Sequence, residues 1–385
     1  MNDFLLPTYA REPVELVRGD GVWVEDVDGR RYLDFAAGIA VVGLGHRHPA
    51  VTAAAHAQLD RLWHVSNLYW TQPMAGLARR LSERFGGAQA FFCNSGAESV
   101  EAALKYAREA TGRAGIVALE GSFHGRTLGA LSITGQAGKR APFEPLVPGV
   151  VFARAGDVAS LRDACAGEPP ACIVLEPVQG EGGVHPLTPE FAAAAADLAD
   201  ACGALLILDE VQTGIGRTGS FFAFEQLGIR PHAVTLAKAL ANGLPIGCLL
   251  VSDDAPRGFT PGDHASTFGG NPVACAAACA VLDAVDDGLL AAVREQGARL
   301  AAGLAALPGV LEVRGRGLLV GAELDRPAGG VVAACRERGL LVLSAGPQVL
   351  RLTPPLMVTA ADVDRALATL ADALAASSLE RSDVK

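Results

Sequence analysis

Two residues stand where chemistry would place them. Lys238 follows the apolar run AVTLA within LAKALANGLPIG, where a solvated lysine would be poorly placed. Asp209 ends a second aliphatic run, LLILD, directly before the glycine-rich loop EVQTGIGRTG. Taken alone, a strand-end aspartate reads equally as a helix cap or a turn carboxylate. An amine at one strand end and a carboxylate at another, however, are the pair that pyridoxal phosphate requires: an amine to condense with its aldehyde, and an anion to keep its pyridine nitrogen protonated.

A phosphate needs a cradle, and FFCNSGAESVEAALKYAR offers a strand, a Ser-Gly turn and a periodic helix whose first N–H groups, near Ser95, Gly96 and Ala97, can bind an anion. The same Ser95-Gly96-Ala97-Glu98 fits a capping box, and one helix start can serve both purposes. Gly214-Ile215-Gly216-Arg217-Thr218-Gly219 matches the dinucleotide pattern G-x-G-x-x-G. It is set aside, because polar residues separate it from the strand, SFFAFEQLG continues poorly as a helix, and no strand-end acid lies about 20 residues on. Arg126 in SFHGRTLG and Arg351 in LRLTPPL suit carboxylates, against the alternative of ordinary ion pairs. Phe123 suits a ring face or the core, and His124 is left without a role.

The elements that must position these residues are short apolar runs at 90–94, 115–120, 150–154, 172–178, 204–211, 233–237 and 247–252, alternating with helical patterns. Strands separated by helices predict an α/β protein with a mostly parallel sheet covered on both faces, whose carboxyl edge binds ligands. From Pro272 the texture changes to an Ala-rich helical stretch, a Gly-rich segment and a last helix from about Thr359 to Leu374. The expected division is an N-terminal arm over 1–45 joining a small α+β domain at 272–385, with a large cofactor-binding domain over 46–271.

Composition narrows the functions. The chain of 385 residues has a net charge of -10, which disfavours nucleic acid as a partner. No apolar run reaches the roughly 18 residues of a membrane span, and MNDFLLPTYA lacks the features of a secretion signal; a cytoplasmic protein is expected, with no membrane partner. Eight cysteines without a C-x-x-C pair read as reduced core residues, and no metal site is expected.

NSGAESVEAAL, SFHGRTLGALSITGQ, LEPVQGEGG, LDEVQTGIGRTG, LAKALANGLPIG, HASTFGGNPVA and LRLTPPL together resemble the class III aminotransferases, the acetylornithine branch most of all, from about Tyr9 to the end. The resemblance implies the fold type I architecture of pyridoxal-phosphate enzymes, a homodimer with the site at the subunit interface, and exchange with 2-oxoglutarate. It implies that Lys238 carries the cofactor, that Ser95, Gly96 and Ala97 meet the phosphate, and that Phe123 and Val211 meet the ring. By the same likeness Asp209 meets the pyridine nitrogen, with Glu210 and Gln212 beside the cofactor. Thr267 is expected to reach the phosphate of the neighbouring subunit, with Ser266 beside the substrate. Arg126 and Arg351 are expected on substrate carboxylates, and Glu181 as a switch that pairs with Arg351 while the amino donor is bound. Ile39 stands where ornithine enzymes have tyrosine, which disfavours free ornithine. Val100 stands where many acetylornithine enzymes have asparagine and is reminiscent of 4-aminobutyrate enzymes. Succinylornithine and carrier-linked lysine remain alternative donors, and a cofactor-binding regulator without turnover is the alternative from another class.

Overall fold

The seven apolar runs form the strands of one sheet, in the order Ala88–Cys93, Gly247–Ser252, Ala233–Leu236, Leu205–Asp209, Cys172–Leu175, Ile116–Leu119, Val150–Ala153. The computed structural model describes residues 4–379. All these strands run parallel except Gly247–Ser252, which is antiparallel to both of its neighbours. Strands buried on both faces read as continuous apolar runs, and their side chains still alternate between faces. Leu206, Leu208, Val234 and Leu236 enter one core. Leu205, Ile207 and Ala233 enter the other, with Val100, Ala103, Leu104 and Ala107 of helix Gly96–Thr111. Val100 is therefore a core residue, 1% exposed, and the departure it represents is one of packing.

That helix starts immediately after the strand Ala88–Cys93. Extended Ser95 accepts from Glu98 N through Oγ, and Glu98 in turn accepts from Asn94 N at 2.6 Å. Gly112, left-handed at φ 67, ends it.

A third core joins segments from early and late in the chain. Leu33 and Phe35 pack with Leu300, Val320, Leu352, Val363 and Leu370. Strand Arg31–Asp34 lies parallel to Leu340–Leu341, and the antiparallel strands Val310–Arg316, Leu319–Leu324 and Val349–Leu352 complete the layer, with helices Asp287–Ala305, Ala328–Glu337 and Ala360–Leu379. Helix Pro272–Ala284 does not belong to this layer. Its Cys275, Ala278 and Val281 enter the main core, where small side chains let it pack on helices Pro49–Leu59 and Gln72–Phe85. The change of core falls after this helix, whose Ala-rich texture records close packing.

One segment breaks the usual backbone rules. Ala37, Gly38, Ile39 and Ala40 have φ of 46, 61, 67 and 60, a complete turn of left-handed helix. Such a conformation costs about 1–2 kcal/mol for each residue other than glycine, so it persists only where its surroundings dictate it. Asp34 Oδ1 accepts from the N–H groups of Ala36 and Ala37, and His46 Nε2 lies 2.8 Å from Asp34 Oδ2. Thr353 Oγ1 donates to Ala36 O, and Asn242 bridges Leu44 N and Gly45 O.

Among the described residues, no helix is long and apolar enough to cross a membrane and no group of acids, histidines and cysteines could hold a metal ion. The eight cysteines are free and buried or half-buried.

Candidate active site

At the carboxyl edge of the sheet lies a cleft of about 390 Å³, within the size range of small-molecule sites. Ser95, Gly96, Ala97, Phe123, Arg126, Asp209, Val211, Gln212 and Lys238 all border it. Residues as far apart in sequence as Ser95 and Lys238 thus meet where the strands end.

Asp209 closes the strand Leu205–Asp209 on the face toward helix Gly96–Thr111, opposite Thr235 on the adjacent strand. Its Oδ1 accepts from Thr235 Oγ1 and Val211 N, both at 3.0 Å. Its Oδ2 lies 2.7 Å from Nδ1 of His124, whose Nε2 is buried without a partner. Burial works against charge on His124, but the hydrogen bond and charge of Asp209 raise its pKa. The carboxylate is thereby fixed from three sides.

Lys238 follows the strand Ala233–Leu236 with φ 44, a left-handed conformation costly for a lysine. The residue is half-buried because its side chain borders the cleft, yet its amine lies deep enough that burial lowers its pKa to about 8, against the pull of Glu181 and Asp209. Near neutral pH such an amine supplies an unprotonated fraction that an ordinary lysine does not.

The helix start faces these groups. The first N–H groups of a helix have no partner within it and present an anion site. Gly96 must lack a side chain here, since a Cβ would fall 2.7 Å from Val211 Cγ1. Gly247 has the same constraint from below, because its Cβ would meet Ser95 O at 2.2 Å.

Five expected residues lie off the cleft wall. Glu210, one step past Asp209, points to the opposite face: it accepts from Ala223 N and Phe224 N at 2.7 and 2.9 Å, and burial pushes its carboxyl up to about 8. It holds the loop after the strand, as strand alternation requires, and its side chain has no access to the cleft. Arg351, 2% exposed, donates through Nη1 to Glu181 Oε1 at 2.5 Å, Gly180 O at 3.1 Å and Gln212 Oε1 at 3.2 Å. It reaches the cleft only through Gln212. Burial opposes the charge of Glu181, but Arg351 beside it holds its carboxyl below the usual range. Ser266 sits behind the wall, accepting from Asn94 Nδ2 at 3.2 Å, and Thr267 is exposed away from this cleft.

Among the other residues of the wall, two are titratable and had no sequence assignment. His124 is one. Glu176, which follows Cys172–Leu175 as Asp209 ends its own strand, is the other. It accepts from Phe123 N at 2.9 Å, and burial pushes its carboxyl up to about 7. The signal that marks Asp209, an apolar run delivering an acid, was present for Glu176 too.

This arrangement fits pyridoxal phosphate: an isolated deep amine, a fixed carboxylate, a helix start kept open by a glycine, and two side chains, Phe123 and Val211, suited to a flat ring. The dinucleotide pattern has no such support, for Gly214–Gly219 runs into the short 3-10 turn Ala223–Leu227 and its Arg217 is buried.

The family described as Aminotransferase class-III matches residues 7–374. The chain is 48% identical over 382 residues to an acetylornithine aminotransferase of Corynebacterium efficiens, covering 96% of this chain and 95% of that protein. An N-acetylornithine aminotransferase structure from Stenotrophomonas maltophilia superposes with TM-score 0.84 at 37% identity, over 97% of this chain and 98% of that one. An ornithine aminotransferase structure from Toxoplasma gondii, with PLP at partial occupancy in its active site, superposes with TM-score 0.93 at 32% identity, over 98% and 94%. The backbone match is tighter to the ornithine enzyme and the sequence match to the acetylornithine enzymes, so the shape of the fold does not choose the donor.

Proposed function

Since the chain belongs to the class III aminotransferases, PLP-dependent enzymes that exchange an amino group between a donor and a keto acid, we propose that its donor is N2-acetyl-L-ornithine and its acceptor 2-oxoglutarate. The products would be N-acetylglutamate semialdehyde and L-glutamate, on the path to arginine. The observation that carries the donor is the near full-length identity to acetylornithine enzymes. Ile39 in place of tyrosine, on the left-handed turn next to the cleft residue Val41, supports it against free ornithine.

When bound, pyridoxal phosphate supplies an aldehyde for the amine and a protonated ring that accepts the electron pair left at the amine-bearing carbon. The remainder falls to this chain. Lys238 would hold the cofactor covalently until a donor amine displaces it, and then carry a proton from the donor carbon, a role for which a lowered pKa suits it. Asp209, held by Thr235, Val211 and His124, would keep the ring nitrogen protonated. Gly96 and Ala97 would take the phosphate, with Phe123 and Val211 on the two ring faces. Gln212 would stand beside the phenolic oxygen. Arg126 would hold the substrate carboxylate far from the reacting carbon, and Arg351, released from Glu181, the α-carboxylate of the keto acid.

The working unit in this reading is a cytoplasmic homodimer, made of a large cofactor-binding part and a small part built from both chain ends. Its support is an exposed apolar rim beside the cleft: Trp63, Leu68, Tyr69, Trp70 and Phe268 are 59–89% exposed, more than an isolated surface explains. His64 packs on Phe268, and Asn67 donates to Ser266 O and Gly269 O, so the rim and the Thr267 loop form one surface. Thr267 would reach across it to the partner's phosphate.

Comparing kcat/KM for N-acetylornithine, ornithine, 4-aminobutyrate, succinylornithine and carrier-linked lysine tests the donor; a preference for any but the first overturns it. Sedimentation at assay concentration tests the dimer, which a fully active monomer would refute.

A further inference from the structure

Phe123 carries two cations. Arg126 Cζ lies 5.6 Å from its ring centroid and Lys139 Nζ lies 4.8 Å from it. Neither side chain makes a hydrogen bond or ion pair with any described residue, although Lys139 is half-buried. Ring contact attracts each cation, but two like charges over one ring repel, and an anion between them would remove the conflict. None of the described residues supplies one. The acid whose charge Lys139 feels most is Glu181, and Glu181 is engaged by Arg351.

The placement of Lys139 is built in. Gly135 donates to Ser122 O and accepts from Gly121 N, each at 3.0 Å, and a Cβ on Gly135 would fall 2.0 Å from Leu119 O. Gln136 adds a bond from Nε2 to Gly121 O at 3.2 Å. The chain therefore crosses directly over the end of strand Ile116–Leu119, and the short turn Ala137–Arg140 that follows sets Lys139 just behind the cleft wall, against the ring of the cleft residue Phe123.

We propose that Lys139 is a substrate-binding residue which, with Arg126, forms a two-cation seat for the carboxylate farthest from the reacting carbon in both half-reactions. The proposal rests on the reading of Arg126 given above and adds a partner to it. In N-acetylornithine that group is the α-carboxylate; in 2-oxoglutarate and glutamate it is the side-chain carboxylate. One seat can serve both, because both present an anion at the end opposite the chemistry. Burial holds the Lys139 pKa below that of an ordinary lysine, with Arg126 and Arg351 adding to the effect, so an arriving carboxylate meets a cation in need of a counter-charge.

The test is Lys139→Met, with Lys139→Gln as a second truncation and Lys139→Arg as the charge-keeping variant, all in the holoenzyme. Loss of a charge-assisted contact should raise KM for N-acetylornithine and for 2-oxoglutarate by about 10-fold or more, with kcat little changed and Lys139→Arg close to wild type. The half-reaction with N-acetylputrescine, the donor without its carboxylate, should be unaffected. Unchanged KM for 2-oxoglutarate, or equal losses with N-acetylputrescine, would overturn the proposal. If the wild-type enzyme rejects N-acetylornithine, the donor assignment fails by itself, and the 2-oxoglutarate arm still decides on Lys139.

Discussion

His124 Nδ1 lies 2.7 Å from Asp209 Oδ2, and the imidazole is held so deeply that its other nitrogen finds no partner. The pair has a consequence for stability as well as for the site. With its pKa raised in the fold above the unfolded value of about 6.5, His124 contributes stability that is fully present below that unfolded value. The contribution is lost as pH rises through the folded value. His124→Gln is expected to remove it. In thermal unfolding of cofactor-free protein, the gap between wild type and variant should shrink as pH rises from 5.5 toward 9. A gap that stays constant would show that the imidazole carries no extra proton in the fold.

Lys238→Ala is expected to fold and to bind pyridoxal phosphate without a covalent link, with transamination abolished. Borohydride reduction of the wild type followed by peptide mapping checks the assignment, and a label on any other lysine would remove it.

Asp209→Asn leaves Thr235 and Val211 with an acceptor but cannot stabilise a pyridinium charge. Turnover should fall by about 10²-fold or more while the fold survives, the scale expected of a lost preorganised charge. Near wild-type turnover would contradict the role.

The short Glu181–Arg351 contact is the state expected while the donor reacts. A charge-assisted bond of this kind is worth roughly 1.5–3 kcal/mol, enough for one to two decades of specificity. Glu181→Ala should therefore speed the glutamate half-reaction relative to that of N-acetylornithine, and Arg351→Ala should damage the glutamate and 2-oxoglutarate side. Single-turnover spectra separate these outcomes; equal slowing of both half-reactions by Glu181→Ala would make that residue a structural loop acid.

Gly247→Ala tests the cradle from beneath. The new methyl must displace Ser95 O, 2.2 Å away, and with it the first turn of helix Gly96–Thr111, the proposed phosphate cradle. Cofactor affinity should drop at least about 10-fold, by analogy with the 1–3 kcal/mol typical of overpacking. Equilibrium titration with pyridoxal phosphate measures it, and unchanged affinity would mean that the helix start is not the cradle.

The seven strands were legible because fully buried parallel strands leave unbroken apolar runs, and Lys238 and Asp209 because a charged residue at the end of such a run has few structural uses. Glu176 carries the same signal, but the apolar texture continues past it through Pro177 and Val178, so no run visibly ends at the acid. Glu210 was placed beside the cofactor by the likeness, although alternation along a strand sends neighbours to opposite faces. His124 was undecidable locally, since its partner lies 85 residues away. Lys139 depended on a loop crossing that only Gly135 permits. The left-handed turn left least trace, because AAGIA reads as an ordinary helix former.

That turn also bears on how the protein comes into being. A free peptide of the sequence Ala36–Val41 has no reason to coil in the disfavoured hand. It is given that hand by Asp34 and His46, by Asn242, and by Thr353, which donates to Ala36 O. During synthesis from the amino terminus, the chain must therefore wait for more than 300 further residues before one wall of its pocket can set. Completion of this wall is thus tied to the arrival of Thr353, and a chain truncated before it would lack that contact even with Lys238 and Asp209 in place.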